Sequence, residues 1–416
     1  MEEWRKYKLK DFIECNPKEK VPQGELCRKI SMDQITPFTR FVESNIYEVY
    51  KGGAKFRNYD TIMARITPCL ENGKTAYISS LHPEEVAVGS TEYIVLRKRE
   101  NISDSKFIFY LAISPIVRDI AIKSMVGSSG RQRVQQDVLE NYEIPIPSLP
   151  MQKNIAHILS VLDDKIELNK RINDNLEQQA QALFKSWFVD FEPFLREEFF
   201  KSDSLFGDIP VGWHIVAIKD LSVYITDYVA NGSFASLREN VRLYDKPNYA
   251  HFIRNTDLKT ESYKMYVDKH SYEFLSKSVL EGGEIIISNV GDVGSVFLCP
   301  KLEKPMTLGN NIILLRPKKD YLTFYLYMLF KGGIGQHLID GVTGGSAQRK
   351  FNKTDFKSIK VMMPPVNILI KFDRIVKPIF SKIEENRDEI SRLTSLRDTL
   401  LPKLMSGELK INDINN

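Results

Sequence analysis

Cysteine is scarce in this chain: four in 416 residues, at Cys15, Cys27, Cys69 and Cys299. No two form a Cys-x-x-Cys pair and no His stands at ligand spacing from them, which argues against a disulfide framework or a thiolate zinc site. No run of about 18 apolar residues occurs, so no membrane-spanning helix is expected. The opening residues, Met-Glu-Glu-Trp-Arg-Lys-Tyr-Lys, lack the apolar core of a secretion signal, and the expected compartment is the cytoplasm. Charge is nearly balanced, at +4 overall, which permits nucleic-acid binding without demanding it.

Catalytic signatures are missing as well. The segment Pro68-Cys69-Leu70-Glu71-Asn72-Gly73-Lys74-Thr75 ends like a phosphate-binding loop, but Pro68 stands where the first Gly of the cradle belongs. The Asp/Asn-Pro-Pro-aromatic motif of an adenine methyltransferase is not met by Pro364-Pro365, which follow Met363 and precede Val366. No Gly-x-Gly-x-x-Gly lies between a strand and a helix, and neither His-Glu-x-x-His nor Gly-x-Ser-x-Gly occurs. The six His are scattered. A binding subunit is expected, not an enzyme, with no cofactor or metal of its own.

What the sequence does contain is itself, twice. A shift of about 217 positions brings its halves into register. Gly127-Ser128-Ser129-Gly130-Arg131-Gln132-Arg133-Val134 falls on Gly344-Gly345-Ser346-Ala347-Gln348-Arg349-Lys350-Phe351. Phe107 and Tyr110 fall on Phe324 and Tyr327, Pro147 on Pro364, and Lys165-Ile166-Glu167-Leu168-Asn169 on Lys382-Ile383-Glu384-Glu385-Asn386. Earlier pieces match with small gaps, such as Asp60 to Arg65 with Glu284 to Asn289, and Ile94 to Arg97 with Ile313 to Arg316. A shared frame with divergent filling is what two copies of a scaffold reading different targets would show; the alternative is a duplication without functional asymmetry.

Each copy ends in a heptad-like segment. Ile155, Leu162, Asn169, Leu176 and Leu183 form one row in the first, and Leu159, Ile166, Asn173, Ala180 and Trp187 the other. In the second copy the rows are Phe372, Ile379, Asn386, Leu393, Leu400 and Val376, Ile383, Ile390, Arg397, Leu404. This is the a/d seam of a coiled coil, about 35 residues long. Asn169 and Asn386 occupy equivalent seam positions, where a buried Asn fixes register; they are expected to lie near one another across an antiparallel pair. Pro378 predicts a kink or a late start in the second helix.

The stretches before the helices are mixed α and β. Apolar runs such as Thr61 to Ala64, Tyr93 to Leu96, Ile285 to Ile287 and Ile312 to Leu315 read as strands. Phe107 to Lys123 and Leu322 to Gly341 read as helices, the second weakened by Gly332, Gly333 and Gly335. Proline-rich exits at Ile144 to Pro150 and Met363 to Pro365 separate module from helix. The expected fold is α+β: two mixed α/β modules joined by two long helices pairing as an antiparallel coiled coil, with pseudo-twofold internal symmetry. The expected boundaries are 1–150 for the first module, 151–192 for the central helix, 193–366 for the second module and 367–416 for the C-terminal helix.

The loops ahead of the exits carry DNA-like chemistry. Gly and Ser let backbone N–H groups approach phosphates, and Arg and Gln match guanine and adenine edges. The candidate contacts are Ser128, Ser129, Arg131, Gln132 and Arg133 in the first copy and Ser346, Gln348, Arg349 and Lys350 in the second. Arg65 and Asn289, at matched strand ends, and Lys74 join them. Arg97 and Arg316 suit surface ion pairs equally well.

The assembled pattern resembles the specificity subunit of type I restriction–modification enzymes. The residues carrying the likeness are Gly212-Trp213 with Ile218-Lys219-Asp220, the two Gly/Ser loops, the proline exits and the twin Lys-Ile-Glu-x-Asn helices. One departure is Met151-Gln152, where relatives often have Glu-Gln; another is Ile368-Leu369 in the second copy. The resemblance implies two target-recognition domains, each reading half of a split sequence in double-stranded DNA. It implies helices that set the gap and dock two modification subunits, with two restriction subunits beyond them. S-adenosylmethionine, ATP and Mg2+ would then belong to those partners. The alternatives are a detached specificity subunit of another restriction–methylation system and a coiled-coil adaptor with no DNA role.

Overall fold

The computed structural model describes residues 4–201, 205–345 and 348–410. The chain divides into two units, Met1–Arg171 with Asn386–Asn416, and Ile172–Glu385. Each unit therefore holds one globular module together with part of both long helices.

In the first unit, one four-stranded antiparallel sheet runs in the order Ile13–Cys15, Tyr93–Lys98, Thr61–Ala64, Thr75–Tyr77. A second sheet runs Tyr47–Val49, Leu26–Ile30, Ala87–Gly89, Ala54–Phe56, with its central pair parallel. A short antiparallel pair, Arg5–Lys8 with Glu143–Ile146, closes the module at the proline exit. The continuous apolar runs are explained by burial on both faces. Along a strand, side chains alternate between faces. Met63, Ile94 and Leu96 enter a core shared with the helices, while Ile62, Tyr93 and Val95 enter a second core with Ile30 and Phe56.

The second unit repeats this plan. Its antiparallel sheet is ordered Val223–Asp227, Ile312–Pro317, Ile285–Ser288, Val296–Leu298. Its other sheet again contains one parallel pair, Ala250–Ile253 with Met306–Leu308, and carries a further edge strand at Leu243–Tyr244. Ile285, Ile287, Ile313 and Leu315 face the helix-side core, and Ile286, Ile312 and Leu314 face the other. The duplication read from sequence is thus a duplication of topology.

Two expected helices are each broken. Ser105–Ile113 and Pro115–Lys123 meet at Ser114, whose N–H bonds back to the carbonyls of Tyr110 and Leu111 while Pro115 opens the next helix. Thr323–Lys331 and Gly333–Gly341 meet at Gly332. Proline at the first helical position gives up no bond, and its fixed φ suits a fresh start.

The long helices are Leu149–Phe188, 40 residues, and Val366–Ser406, 41 residues. Pro378 does not delay the second, which begins at Val366; buried Phe372, Val376 and Phe380 flank the proline and hold that stretch against the module. Gln152, 1 % exposed, ties down the first helix: its amide donates to the carbonyls of Pro147 and Ile102, and its oxygen accepts from the Asp104 N–H. Buried Leu369 does the corresponding work by apolar packing in the second copy.

Within each unit the helix segments run antiparallel. In the first, Arg397 reaches Asp163 at 2.8 Å and the Asn169 amide donates to Glu389 at 2.7 Å. In the second, the Asn173 amide donates to the Ile383 carbonyl and Phe184 packs edge-on against Phe372. Asn169 and Asn386 both lie buried in the first unit, with the Asn169 amide committed to Glu389.

Candidate nucleic-acid interface

In the first unit the Gly/Ser loop is a small hairpin. Val126 and Arg133 exchange backbone hydrogen bonds at 3.0 and 2.9 Å, and the Arg131 N–H closes a turn on the Ser128 carbonyl. It is stapled to the strand ending at Ala64: Val134 N–H donates to the Arg65 carbonyl, Thr67 N–H to the Gln132 carbonyl, and Gln132 N–H to the Thr67 hydroxyl. Ser128, Ser129 and Arg131 stand exposed at the tip, while Gln132 and Arg133 are half-buried at the base.

The second unit builds the same object. Gly344 and Lys350 exchange two bonds of 2.9 Å, Phe351 N–H donates to the Asn289 carbonyl, and Gly291 N–H to the Arg349 carbonyl. Gln348, Arg349 and Lys350 are exposed; Ser346 lies outside the described residues. Equivalent rungs are Val126 with Gly344, and the positive-φ glycines are Gly127 with Gly345. Sequence comparison places Gly127 on Gly344, one position off, because the second loop is one residue shorter. Gly345 sits at φ +93°, and a Cβ there would meet the Gln348 carbonyl oxygen at 2.4 Å. Gly345→Ala is expected to destabilise this loop by about 1–2 kcal/mol, seen as faster proteolytic nicking at 344–350 with little change in the first unit.

Other candidates are placed differently. The Lys74 ammonium donates to the Met32 carbonyl at 2.7 Å, inside the module. The Asn289 amide donates to the Phe351 carbonyl, bracing its own loop. Arg349 pairs with Asp340. Arg97 and Arg316 point inward: Arg97 forks Asp60 at 2.7 and 2.6 Å, and Arg316 bonds Glu284 at 2.7 Å, both carboxylates almost wholly buried. The two copies thus keep one internal ion pair at equivalent positions, a structural pairing instead of a surface contact.

One group went unnoticed in the sequence. Glu92 lies in the turn between the two sheets of the first module, and Arg65 N–H donates to its carbonyl. Its carboxylate takes Arg133, Nε at 3.0 Å to both oxygens and Nη2 at 2.7 Å, with Arg65 Nε at 3.5 Å. The Arg133 hydrogen bond, with the charges of Arg133 and Arg65, holds the Glu92 carboxyl below its ordinary value against the opposing effect of burial. The equivalent turn residue in the second unit is Asn311, whose carbonyl accepts from the Asn289 N–H. The only trace in sequence is that Ser90-Thr91-Glu92 and Gly309-Asn310-Asn311 both precede an apolar strand.

Among the described residues, no cluster of His, Cys, Asp and Glu is arranged to hold a metal, and no helix is long and apolar enough to cross a membrane. The cysteines are unpaired; burial raises the Cys15 thiol to about 12, so it is a poor nucleophile.

The model of the type I restriction modification DNA specificity domain matches this sequence twice, at residues 1–178 and 210–394. The chain belongs to this family. The type I restriction enzyme HindI specificity subunit of Haemophilus influenzae is 26 % identical over 411 residues, spanning 84 % of this chain and 86 % of that one. The type I restriction enzyme MjaIX specificity subunit of Methanocaldococcus jannaschii is 28 % identical over 314 residues, spanning 74 % and 70 %. The crystal structure of the S subunit of a type I restriction-modification system from M. genitalium shares the fold, with a TM-score of 0.50 at 18 % identity over 97 % of this chain and 96 % of that one. Membership in the family disfavours the adaptor reading.

Proposed function

We propose that this chain is the sequence-reading subunit of a type I restriction–modification enzyme, with each globular module addressing one half of a split DNA target. The observation that supports this most is that one loop-on-strand scaffold is built twice with different side chains: Arg131, Gln132 and Arg133 on one, Gln348, Arg349 and Lys350 on the other. Backbone bonds carry most of both scaffolds, with side-chain braces from Thr67 and Asn289 at the strand ends, so the side chains on the loops are available to differ between targets. The paired helices act as the spacer and as the platform for two modification subunits, with restriction subunits joining them. The bond-making chemistry, with S-adenosylmethionine, ATP and Mg2+, belongs to those partners, which methylate an extruded adenine.

The test is base preference in the complex with modification subunits. Arg131→Ala with Arg133→Ala is expected to relax one half-site, at about 1–3 kcal/mol per lost base contact, and leave the other unchanged. Arg349→Ala with Lys350→Ala is expected to do the reverse. Loss of both half-sites from either pair contradicts this division of labour.

A further inference from the structure

The Arg133 side chain is 43 % exposed at the loop base, and its guanidinium is not loose. Glu92 occupies the Nε–Nη2 edge through three contacts of 2.7 to 3.0 Å. The donors left over are both N–H groups of Nη1 and one of Nη2, an end-on fork. Such a fork matches the adjacent O6 and N7 acceptors of guanine in the major groove. A carboxylate near DNA ordinarily repels phosphate, but Arg65 shares Glu92, so the cluster remains net positive.

Among the described residues, the second unit has no counterpart to this arrangement. There Asn289 and Asn311 stand where Arg65 and Glu92 stand, and Lys350 replaces Arg133. An exposed ammonium is a rotatable point charge, suited to phosphate, whereas a clamped guanidinium has a fixed plane and direction. Arg349 is also paired, but both it and Asp340 are more than half exposed, on the loop's solvent side.

We propose that Glu92 is a positioning residue that aims Arg133 end-on at a guanine, and that the first half-site therefore contains a G·C pair read by this fork. The inference rests on the half-site reading above and goes beyond it by naming the base and the residue that orients its reader.

The experiment uses the full chain with its modification subunits and duplex DNA randomised in one half-site at a time, with a salt titration. The wild-type complex is expected to require G·C at one position of the first half-site. Arg133→Ala should lower affinity for the preferred site by roughly 5- to 150-fold and erase preference at that position alone. Arg133→Lys, which keeps the charge and leaves Glu92 intact, should erase it too with the salt slope unchanged. Glu92→Gln should weaken the same preference, and Glu92→Asp should restore part of it. Unaltered preference in the second half-site verifies folding in each variant. A uniform affinity loss for Arg133→Ala, with the salt slope reduced by about one and no position relaxed, makes Arg133 a phosphate contact and overturns the proposal while leaving half-site reading intact. Unchanged preference in Glu92→Gln overturns the positioning role. Absence of any preference in either half-site of the wild type removes the half-site reading itself.

Discussion

Arg397→Ala is expected to destabilise the first unit by about 3–5 kcal/mol, the cost of leaving a buried charge without its partner. Asp163 and Arg397 are both nearly inaccessible, with side chains 4 % and 6 % exposed, and they meet at 2.8 Å. The Tyr110 hydroxyl donates to the other Asp163 oxygen at 2.6 Å, and Arg40 reaches both that hydroxyl and Asp164. Burial, then the neighbouring Asp163 charge, pushes the Tyr110 phenol far above its ordinary range, so it stays a donor throughout accessible pH. Removing the guanidinium also vacates the bond to the Phe38 carbonyl. Replacing both members, as Asp163→Leu with Arg397→Leu, is expected to cost far less than the sum of the singles, since no unpaired charge remains. Hydrogen exchange over Leu149–Arg171, read against the second unit as internal reference, measures it. A loss below about 1 kcal/mol in Arg397→Ala would mean that the pair is in effect a solvated surface contact.

A matched insertion of seven residues in both long helices, after Arg171 and before Asn386, is expected to abolish methylation at the native gap and to transfer it to a longer one. Seven residues add about 10 Å of helix and preserve the seam phase. The insertion must be matched, because contacts fix the register on both sides of the junction: Asp163 with Arg397 in one unit, Phe184 with Phe372 in the other. An insertion in one helix alone is expected to break one of these sets and lower stability instead. Mapping methylated adenines in the DNA of cells carrying the complete system reads the outcome; methylation retained at the original spacing would rule out the helices as the spacer.

The same seam shows how far sequence reasoning reaches. The two heptad rows run through buried and half-buried positions of both helices, Asn169 and Asn386 among them, but they leave out Asp163, Phe184 and Glu389, which also pair across the helices. Arg397 stands in one of those rows with no visible reason for a cation. The reason is Asp163, distant by 234 residues, brought alongside by antiparallel pairing. At the repeat-related positions the second unit has Phe380 in place of Asp163 and Ala180 in place of Arg397, and Phe380 stacks on Phe324 with ring centroids 4.5 Å apart. At these positions one frame is thus docked by charges in one copy and by rings in the other.

The duplication, the apolar strands, the proline exits, the long helices and the position of both loops were determined by the sequence itself. These are matters of local periodicity and of self-similarity, which a single chain records. Which arginines turn inward was decided only in the tertiary structure. Arg97 and Arg316 look no different in sequence from Arg133, yet the first two lie against buried carboxylates and the third is clamped at an exposed loop base. The one-residue shortening of the second loop and the turn holding Glu92 were likewise invisible. A side chain's partner depends on strand order and sheet stacking, and these bring Glu92 to Arg133 across 41 residues with no repeating pattern to announce it.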